Sequence, residues 1–71
     1  MYAKEMFEML GYTKMADSDF IIIYMDCCYS IIGFIKEPKR FFIDNRKGFS
    51  FIMSYPLVQA ISKQLEELGC E

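Results

Sequence analysis

The chain contains no histidine among its 71 residues. Histidine is the usual general base, the usual partner of serine and cysteine nucleophiles, and the commonest metal ligand. The four glycines stand alone along the chain, which excludes the dinucleotide-binding fingerprint and the phosphate-binding loop, since both need clustered glycines. The sequence therefore predicts a protein that is not an enzyme and that holds no cofactor.

The chain also lacks a long apolar run. The most apolar stretch, Phe20–Ile35, is shorter than a bilayer-spanning helix and has Asp26 near its middle. The N-terminal segment, Met1–Gly11, is interrupted by three charged residues, so it does not have the pattern of a secretory signal. These features predict a cytoplasmic protein without a membrane partner.

Cysteine is scarce and odd in number. Cys27 and Cys28 are neighbours, which disfavours an unstrained disulfide between them, and Cys70 is distant in sequence. The spacing does not match the C-x₂-C pattern of zinc sites, so no metal is expected. We expect mostly buried thiols in a reducing compartment, and the sequence leaves open whether any of them is reactive.

Apolar residues are abundant, at 54% of the chain with 17% aromatic, which is ample core material for one small domain. At the N-terminus, Ala3, Met6, Phe7 and Leu10 recur at helical spacing and predict an amphipathic helix. Gly11 is placed to end it, with Tyr12 folding back onto its last turn.

A second helix is predicted near the C-terminus. Ser54 can cap it and Pro56 lies in its first turn, where a missing backbone N–H does no harm. Gly69 ends it. Its apolar stripe consists of Leu57, Val58, Ile61, Leu65 and Leu68. Glu66 and Glu67 point away from this stripe and are expected to be solvated.

Between the helices lie segments rich in Ile, Phe and Tyr, which favours strands. The predicted strands are Phe20–Met25, Ser30–Lys36, Arg40–Asp44 and Phe49–Met53. The polar segment Thr13–Asp19 is expected to be irregular, with a turn at Asp17-Ser18-Asp19. Tight turns are predicted at Glu37–Arg40, which contains Pro38, and at Asn45–Gly48, which ends in glycine. The connection Asp26–Tyr29 has neither glycine nor proline, so it is the least regular of the predicted hairpins.

This order predicts one α+β domain over residues 1–71. A helix is followed by three to four antiparallel strands and then by a second helix, without the alternation that builds a parallel sheet.

Both faces of the predicted sheet are apolar. If Ile35 pairs with Phe42, and Phe42 with Phe51, one face carries Ile31, Ile35, Phe42, Phe49, Phe51 and Met53. The opposite face then presents the residues that we expect to form a homodimer interface: Ile32, Phe34, Phe41, Ile43 and Ile52. Large exposed apolar patches usually mark interaction surfaces, but one helix on each face, or a register shifted by one residue, would remove the surplus.

The segment between residues 36 and 47 has a net charge of +3 in a chain whose net charge is −2. Its cations lie on both sides of Phe41 and Phe42 in the sequence, and basic and aromatic residues are combined in this way where single-stranded nucleic acid stacks on a sheet. The candidate nucleic-acid-binding residues are Lys36, Lys39, Arg40, Arg46 and Lys47. Solvated turns are the simpler interpretation, since the cations lie mostly in turns.

Two stretches carry a family resemblance. At residues 3–12 (AKEMFEMLGY) and 57–69 (LVQAISKQLEELG), the chain resembles a group of small uncharacterised proteins encoded by phages, prophages and related Gram-positive bacterial genomes. Members often end in an aromatic residue after the last glycine, where this chain has Cys70. The resemblance implies a cytoplasmic, phage-related accessory protein. It carries no established activity and therefore assigns no functional residue.

Two functions follow from the sequence. The first is a non-enzymatic interaction protein that self-associates through an apolar sheet face and binds a further protein partner. The second is a small single-stranded nucleic-acid-binding protein that uses the basic aromatic segment. The second differs by predicting binding that falls steeply with salt.

Overall fold

The computed structural model describes residues 1–45 and 53–69. Helix α1 spans Ala3–Met9, and strands β1 (Thr13–Asp17), β2 (Ile21–Met25), β3 (Ser30–Ile35) and β4 (Arg40–Asn45) follow it. Helix α2 spans Tyr55–Glu67. Within the described residues, the four strands form one antiparallel sheet in the order β1-β2-β3-β4. The predicted α+β class, with a helix on each side of the sheet in sequence, is confirmed.

Both helices pack on the same face of this sheet. Their buried side chains meet those of β2 and β3 in one core, whose members are Ala3, Phe7, Tyr12, Ile22, Tyr24, Ile32, Phe34, Leu57, Ala60 and Ile61. The rings of Phe7 and Tyr24 stack with centroids 4.1 Å apart, and Phe34 meets both edge-on. Such aromatic pairs contribute beyond the area that they bury.

The helix ends follow the predicted residues. Gly11 has a φ of +90° and Gly69 a φ of +85°, the left-handed conformation that a helix stop favours. Tyr12 is buried and meets Phe7 edge-on, as expected for a residue folding back on the last turn. Ser54 caps α2, since its hydroxyl accepts a hydrogen bond from the backbone N–H of Leu57 at 3.3 Å.

The prediction that Thr13–Asp19 is irregular is wrong, because Thr13–Asp17 forms the edge strand β1. Its polar composition hid it, yet short and charged edge strands are a common protection against unwanted pairing. The pairing skips Met15, so β1 carries a bulge there. The expected turn does follow: the Ser18 hydroxyl accepts hydrogen bonds from the N–H groups of Phe20 and Ile21.

The β2–β3 hairpin closes without glycine or proline. One carboxylate oxygen of Asp26 accepts hydrogen bonds from the N–H groups of Cys28 and Ser30, each 2.9 Å long. Tyr29 takes the left-handed position with a φ of +65°. An aspartate side chain that mimics a backbone turn thus replaces the usual turn residues.

The predicted fourth strand, Phe49–Met53, lies outside the described residues except for Met53, which belongs to no strand. The turn predicted at residues 45–48 also lies outside them beyond Asn45, the last residue of β4. The described sheet has four strands because it includes β1, which was not predicted. β1 precedes the three confirmed strands in the chain, whereas the predicted fourth strand would follow them.

Glu67 is not simply a solvated residue, as the sequence suggested. Its carboxylate accepts a hydrogen bond of 2.7 Å from the backbone N–H of Ala3, at the start of α1. The first N–H groups of a helix have no partner within the helix, and a carboxylate there also interacts favourably with the helix dipole. Glu67 therefore joins the end of α2 to the beginning of α1.

We expect Glu67→Ala to lower the free energy of unfolding by about 1 kcal/mol, the usual effect of removing a capping side chain. Glu66→Ala is the matched control, because it also replaces glutamate by alanine in α2 and so changes the helix propensity by the same amount. Its carboxylate is largely exposed and forms only a 3.6 Å surface pair with Lys63, so its loss should cost less than about 0.5 kcal/mol. Urea denaturation of both variants measures the difference, and equal losses would contradict this role of Glu67.

The second prediction concerns Tyr24, whose hydroxyl donates a 2.7 Å hydrogen bond to the side-chain oxygen of Gln64. Burial, followed by the charges of Glu67, Asp17 and Glu8, raises the pKa of Tyr24 from 10.0 to about 12. The raised pKa means that the folded protein keeps the phenol proton when the unfolded chain loses it. The contribution of the Tyr24 phenol to the free energy of unfolding is therefore fully present below pH 10 and is lost as the pH rises towards 12.

Urea denaturation across this pH range should show a steeper loss of stability in the wild-type protein than in Tyr24→Phe. Burial also raises the pKa of Tyr12, but Tyr12 is present in both proteins and does not affect the comparison. Parallel pH profiles would show that Tyr24 does not titrate differently in the folded and unfolded states.

Candidate interaction surface

The strand register divides the sheet residues between two faces, because directly paired residues lie on the same side. On one face, Tyr24 pairs with Ile32 and Ile32 with Ile43, and the helices cover these residues. None of the core residues in the strands lies on the opposite face. We call this second surface the open face.

The open face consists of three rows across β2, β3 and β4. The rows are Ile21–Ile35–Arg40, Ile23–Gly33–Phe42 and Met25–Ile31–Asp44. Thr13 and Ala16 of β1 extend the last two rows. The isoleucines and Met25 are half-buried, and Phe42 is 40% exposed. An antiparallel sheet in a small protein usually has a polar outer face, so this surface is unusually apolar.

Phe42 lies across Gly33 at the centre of the open face. A Cβ atom at Gly33 would come within 2.4 Å of two carbons of the phenyl ring, which is too close for real atoms. Gly33 is therefore required for close approach of the ring, and the ring covers the backbone that a glycine would leave bare. The centre of the open face is a phenyl ring lying against the sheet.

Charged residues lie at both ends of the same strand. Arg40 and Asp44 are on the open face, two residues before and two residues after Phe42. Both are exposed, and neither forms an ion pair with another residue in the described ranges. Along β4, the open face therefore runs from a positive charge through an aromatic ring to a negative charge.

The predicted interface residues lie mostly on the wrong face. Ile32 and Phe34 are fully buried beneath the helices, and Ile43 packs partly against the same core. Phe41, on that face, is 45% exposed, and Ile52 lies outside the described residues. Ile35 pairs with Arg40, two residues away from its predicted partner, so the predicted register was wrong by two residues. A shift by an even number of residues leaves every side chain on the same face of the sheet.

The error was therefore the choice of the covered face. Both helices contact the face that carries Tyr24, and neither predicted face included residues of β2. The open-face residues missing from the prediction, Ile21, Ile23 and Met25, lie in a strand that is apolar on both sides. Pairing β2 with β3 in sequence would have added them to Ile31 and Ile35.

The cationic candidates do not form one patch among the described residues. Lys36 pairs with Asp17 at 3.1 Å, and the Lys39 ammonium donates a hydrogen bond to the backbone carbonyl of Gly69. Arg40 lies on the open face, whereas Arg46 and Lys47 lie outside the described residues. Phe41 and Phe42 point to opposite faces of β4, so they do not offer a shared stacking platform.

A shallow groove of about 260 Å³ lies between the two helices. Its lining residues are Met1, Met6, Met9, Leu10, Pro56 and Gln59. Only one of them, Gln59, has a polar side chain, so the groove lacks the convergent polar groups of a small-molecule site. In the part of the chain that the structure describes, no three cysteine or acidic side chains are placed to hold a metal ion.

In the described ranges, neither helix combines the length and the apolar composition needed to cross a bilayer. No protein-family model, curated protein or solved structure gives a significant match to this chain. The resemblance of the two helices to phage-encoded proteins stays a prediction.

Gly33→Ala should displace the Phe42 ring while leaving the sheet backbone in place, because the ring is half-exposed and can swing outward. Overpacking usually costs about 1–3 kcal/mol, and replacing a strand glycine returns roughly 0.5–1 kcal/mol, so we expect a net loss near 1 kcal/mol. The aromatic NMR signals of Phe42 should shift.

The control is the same substitution in a Phe42→Ala background. There the clash is absent, so Gly33→Ala should stabilise the protein by roughly 0.5–1 kcal/mol. A destabilisation of equal size in both backgrounds would show that Gly33 is not required by the ring.

Proposed function

We propose that the protein is a non-enzymatic interaction protein of the cytoplasm that self-associates through the open face. The observation that carries this proposal is the apolar character of that face, with Phe42 at its centre and Arg40 and Asp44 at its ends. Burial of apolar surface drives most protein association, and this surface has no helix covering it among the described residues.

The charge order favours a second copy as the partner. Two sheets that pack face to face lie about 10 Å apart. A two-fold axis between them, perpendicular to the strands and passing through the Phe42 row, places the two β4 strands antiparallel. Each Arg40 then faces Asp44 of the other copy, and the two Phe42 rings meet near the axis. A two-fold interface requires this kind of self-complementarity.

The same arrangement also places the apolar residues of the outer rows against apolar residues of the other copy. The outer rows are exchanged by the axis, so that Ile21 and Ile35 of one copy meet Met25 and Ile31 of the other. An axis parallel to the strands would instead place Arg40 against the same row of the partner, without an acidic residue. The antiparallel arrangement is therefore the one that pairs both charges.

Sedimentation equilibrium over a concentration series tests the proposal through a charge exchange. Arg40→Asp alone sets like charges opposite each other twice in the dimer, and Asp44→Arg does the same with the opposite sign. Like charges in this position cost about 0.2–1 kcal/mol per pair, so each single variant should weaken dimerisation by roughly 2-fold to 30-fold.

The double variant Arg40→Asp/Asp44→Arg restores the opposite charges and should recover most of the wild-type affinity. Lys4→Asp, which makes the same charge change on the exposed side of α1, should leave the affinity unchanged. A monomeric wild-type protein at the highest concentration would contradict the proposal. If the affinity losses of the two single variants add in the double variant, the antiparallel arrangement is contradicted but self-association is not.

A further inference from the structure

The open face carries one oxidisable thioether in its rows. Among the described residues, Met25 is the only methionine with a position there, because the bulge in β1 leaves Met15 unpaired. Met25 pairs with Ile31 on β3 and with Thr13 on β1, and its side chain is half-buried. The side chain is therefore partly open to solvent in a single copy.

The surroundings of Met25 become apolar in the proposed dimer. The two-fold axis places Met25 of one copy against Ile21 of the other, and Ile31 lies beside it in the same row. The charged residues of the open face, Arg40 and Asp44, lie on β4, two strands away from β2. Neighbouring strands are about 4.8 Å apart, so both charged residues lie two such spacings from Met25 along the rows. A polar group formed at Met25 would have no charged partner beside it.

We propose that oxidation of Met25 to methionine sulfoxide separates the two copies, an inference that rests on the self-association proposed above. Hydrogen peroxide supplies the oxygen. The peroxide O–O bond breaks, one oxygen atom forms the S–O bond of the sulfoxide, and the other leaves as water with both hydrogen atoms. The sulfur loses two electrons and the peroxide gains two. The product has a polar side chain in place of a flexible apolar one.

The sulfoxide favours the separate copies because it is hydrated there and loses this hydration within the interface. Burying one polar group without a partner weakens an association by roughly 5-fold to 150-fold. The dimer contains Met25 twice, so oxidation of both copies should weaken dimerisation by roughly 30-fold or more. Methionine sulfoxide reductases return the sulfoxide to the thioether, so the separation is reversible.

Sedimentation equilibrium of the full chain, before and after treatment with hydrogen peroxide, tests the proposal. The thiols react with peroxide as well: Cys27 and Cys28 are exposed, and Cys70 lies outside the described residues. Dithiothreitol added after the peroxide reverses disulfides and sulfenic acids but not methionine sulfoxide. The affinity of the wild-type dimer should then fall by the stated factor, and a methionine sulfoxide reductase should restore it.

Two leucine variants separate Met25 from the other oxidisable residues. Met25→Leu keeps an apolar side chain of similar volume and all three cysteines, so its dimer should form normally and resist peroxide. Met9→Leu is the matched control, because Met9 is 75% exposed on α1, away from the open face. Its dimer should be weakened by peroxide as much as that of the wild-type protein.

Peptide mass analysis gives an independent measurement of the same contact. The rate at which Met25 gains an oxygen atom should fall as the protein concentration rises and the dimer forms, whereas the rate for Met9 should stay constant. A wild-type protein that is monomeric before oxidation contradicts the self-association itself. A wild-type dimer that keeps its affinity with Met25 fully oxidised contradicts control by Met25 and leaves the self-association standing. An equal loss of affinity in Met25→Leu has the same meaning.

Discussion

The stacked pair of Phe7 and Tyr24 decides which face of the sheet the helices cover. Phe7 comes from α1 and Tyr24 from β2, and both rings are fully buried. The Tyr24 hydroxyl also binds Gln64 of α2, whose side chain is buried with it. One tyrosine therefore links both helices to the same side of the sheet, and Glu67 joins the helices to each other through the N–H of Ala3.

This arrangement leaves the second face to be protected in another way. The strands β2 and β3 are apolar on both sides, so covering one side still leaves Ile21, Ile23, Ile31 and Ile35 on the other. Phe42 lies over Gly33 and reduces the exposed backbone there. The edge strand β1 is short, bulged and charged, which disfavours pairing through its edge. The proposed self-association therefore uses the open face rather than that edge.

The sequence was sufficient for the helices and for most strands. Helical spacing, Gly11, Ser54 and Gly69 set the helix bounds, because each of these signals acts locally. The predicted register of β3 with β4 was displaced by two residues, because a tight turn that contains proline does not determine the register. β1 was missed because an edge strand needs no apolar pattern. The predicted burial of Cys27 and Cys28 is wrong, because both lie exposed in the turn that the Asp26 carboxylate holds.

The choice of the covered face could not follow from strand patterns alone. Both faces of β3 and β4 carry large apolar residues, and parity of the register assigns residues to faces without saying where the helices lie. The deciding contacts join Tyr24 to residues of α1 and α2, 17 and 40 positions away in sequence. A polar side chain within the apolar strand β2 was the available signal, since a buried tyrosine hydroxyl requires a partner.

The most direct test of the open face as a homodimer interface is an isotope-filtered NOE experiment on a mixture of labelled and unlabelled protein. Intermolecular NOEs should connect the Phe42 ring to the Phe42 ring of the other copy. They should also connect the methyl groups of Ile21 and Ile35 to those of Met25 and Ile31 of the other copy. Intermolecular NOEs that instead involve exposed residues of α2, such as Val58, would contradict this interface. A sample without intermolecular NOEs, at a concentration where sedimentation shows a dimer, would contradict it as well.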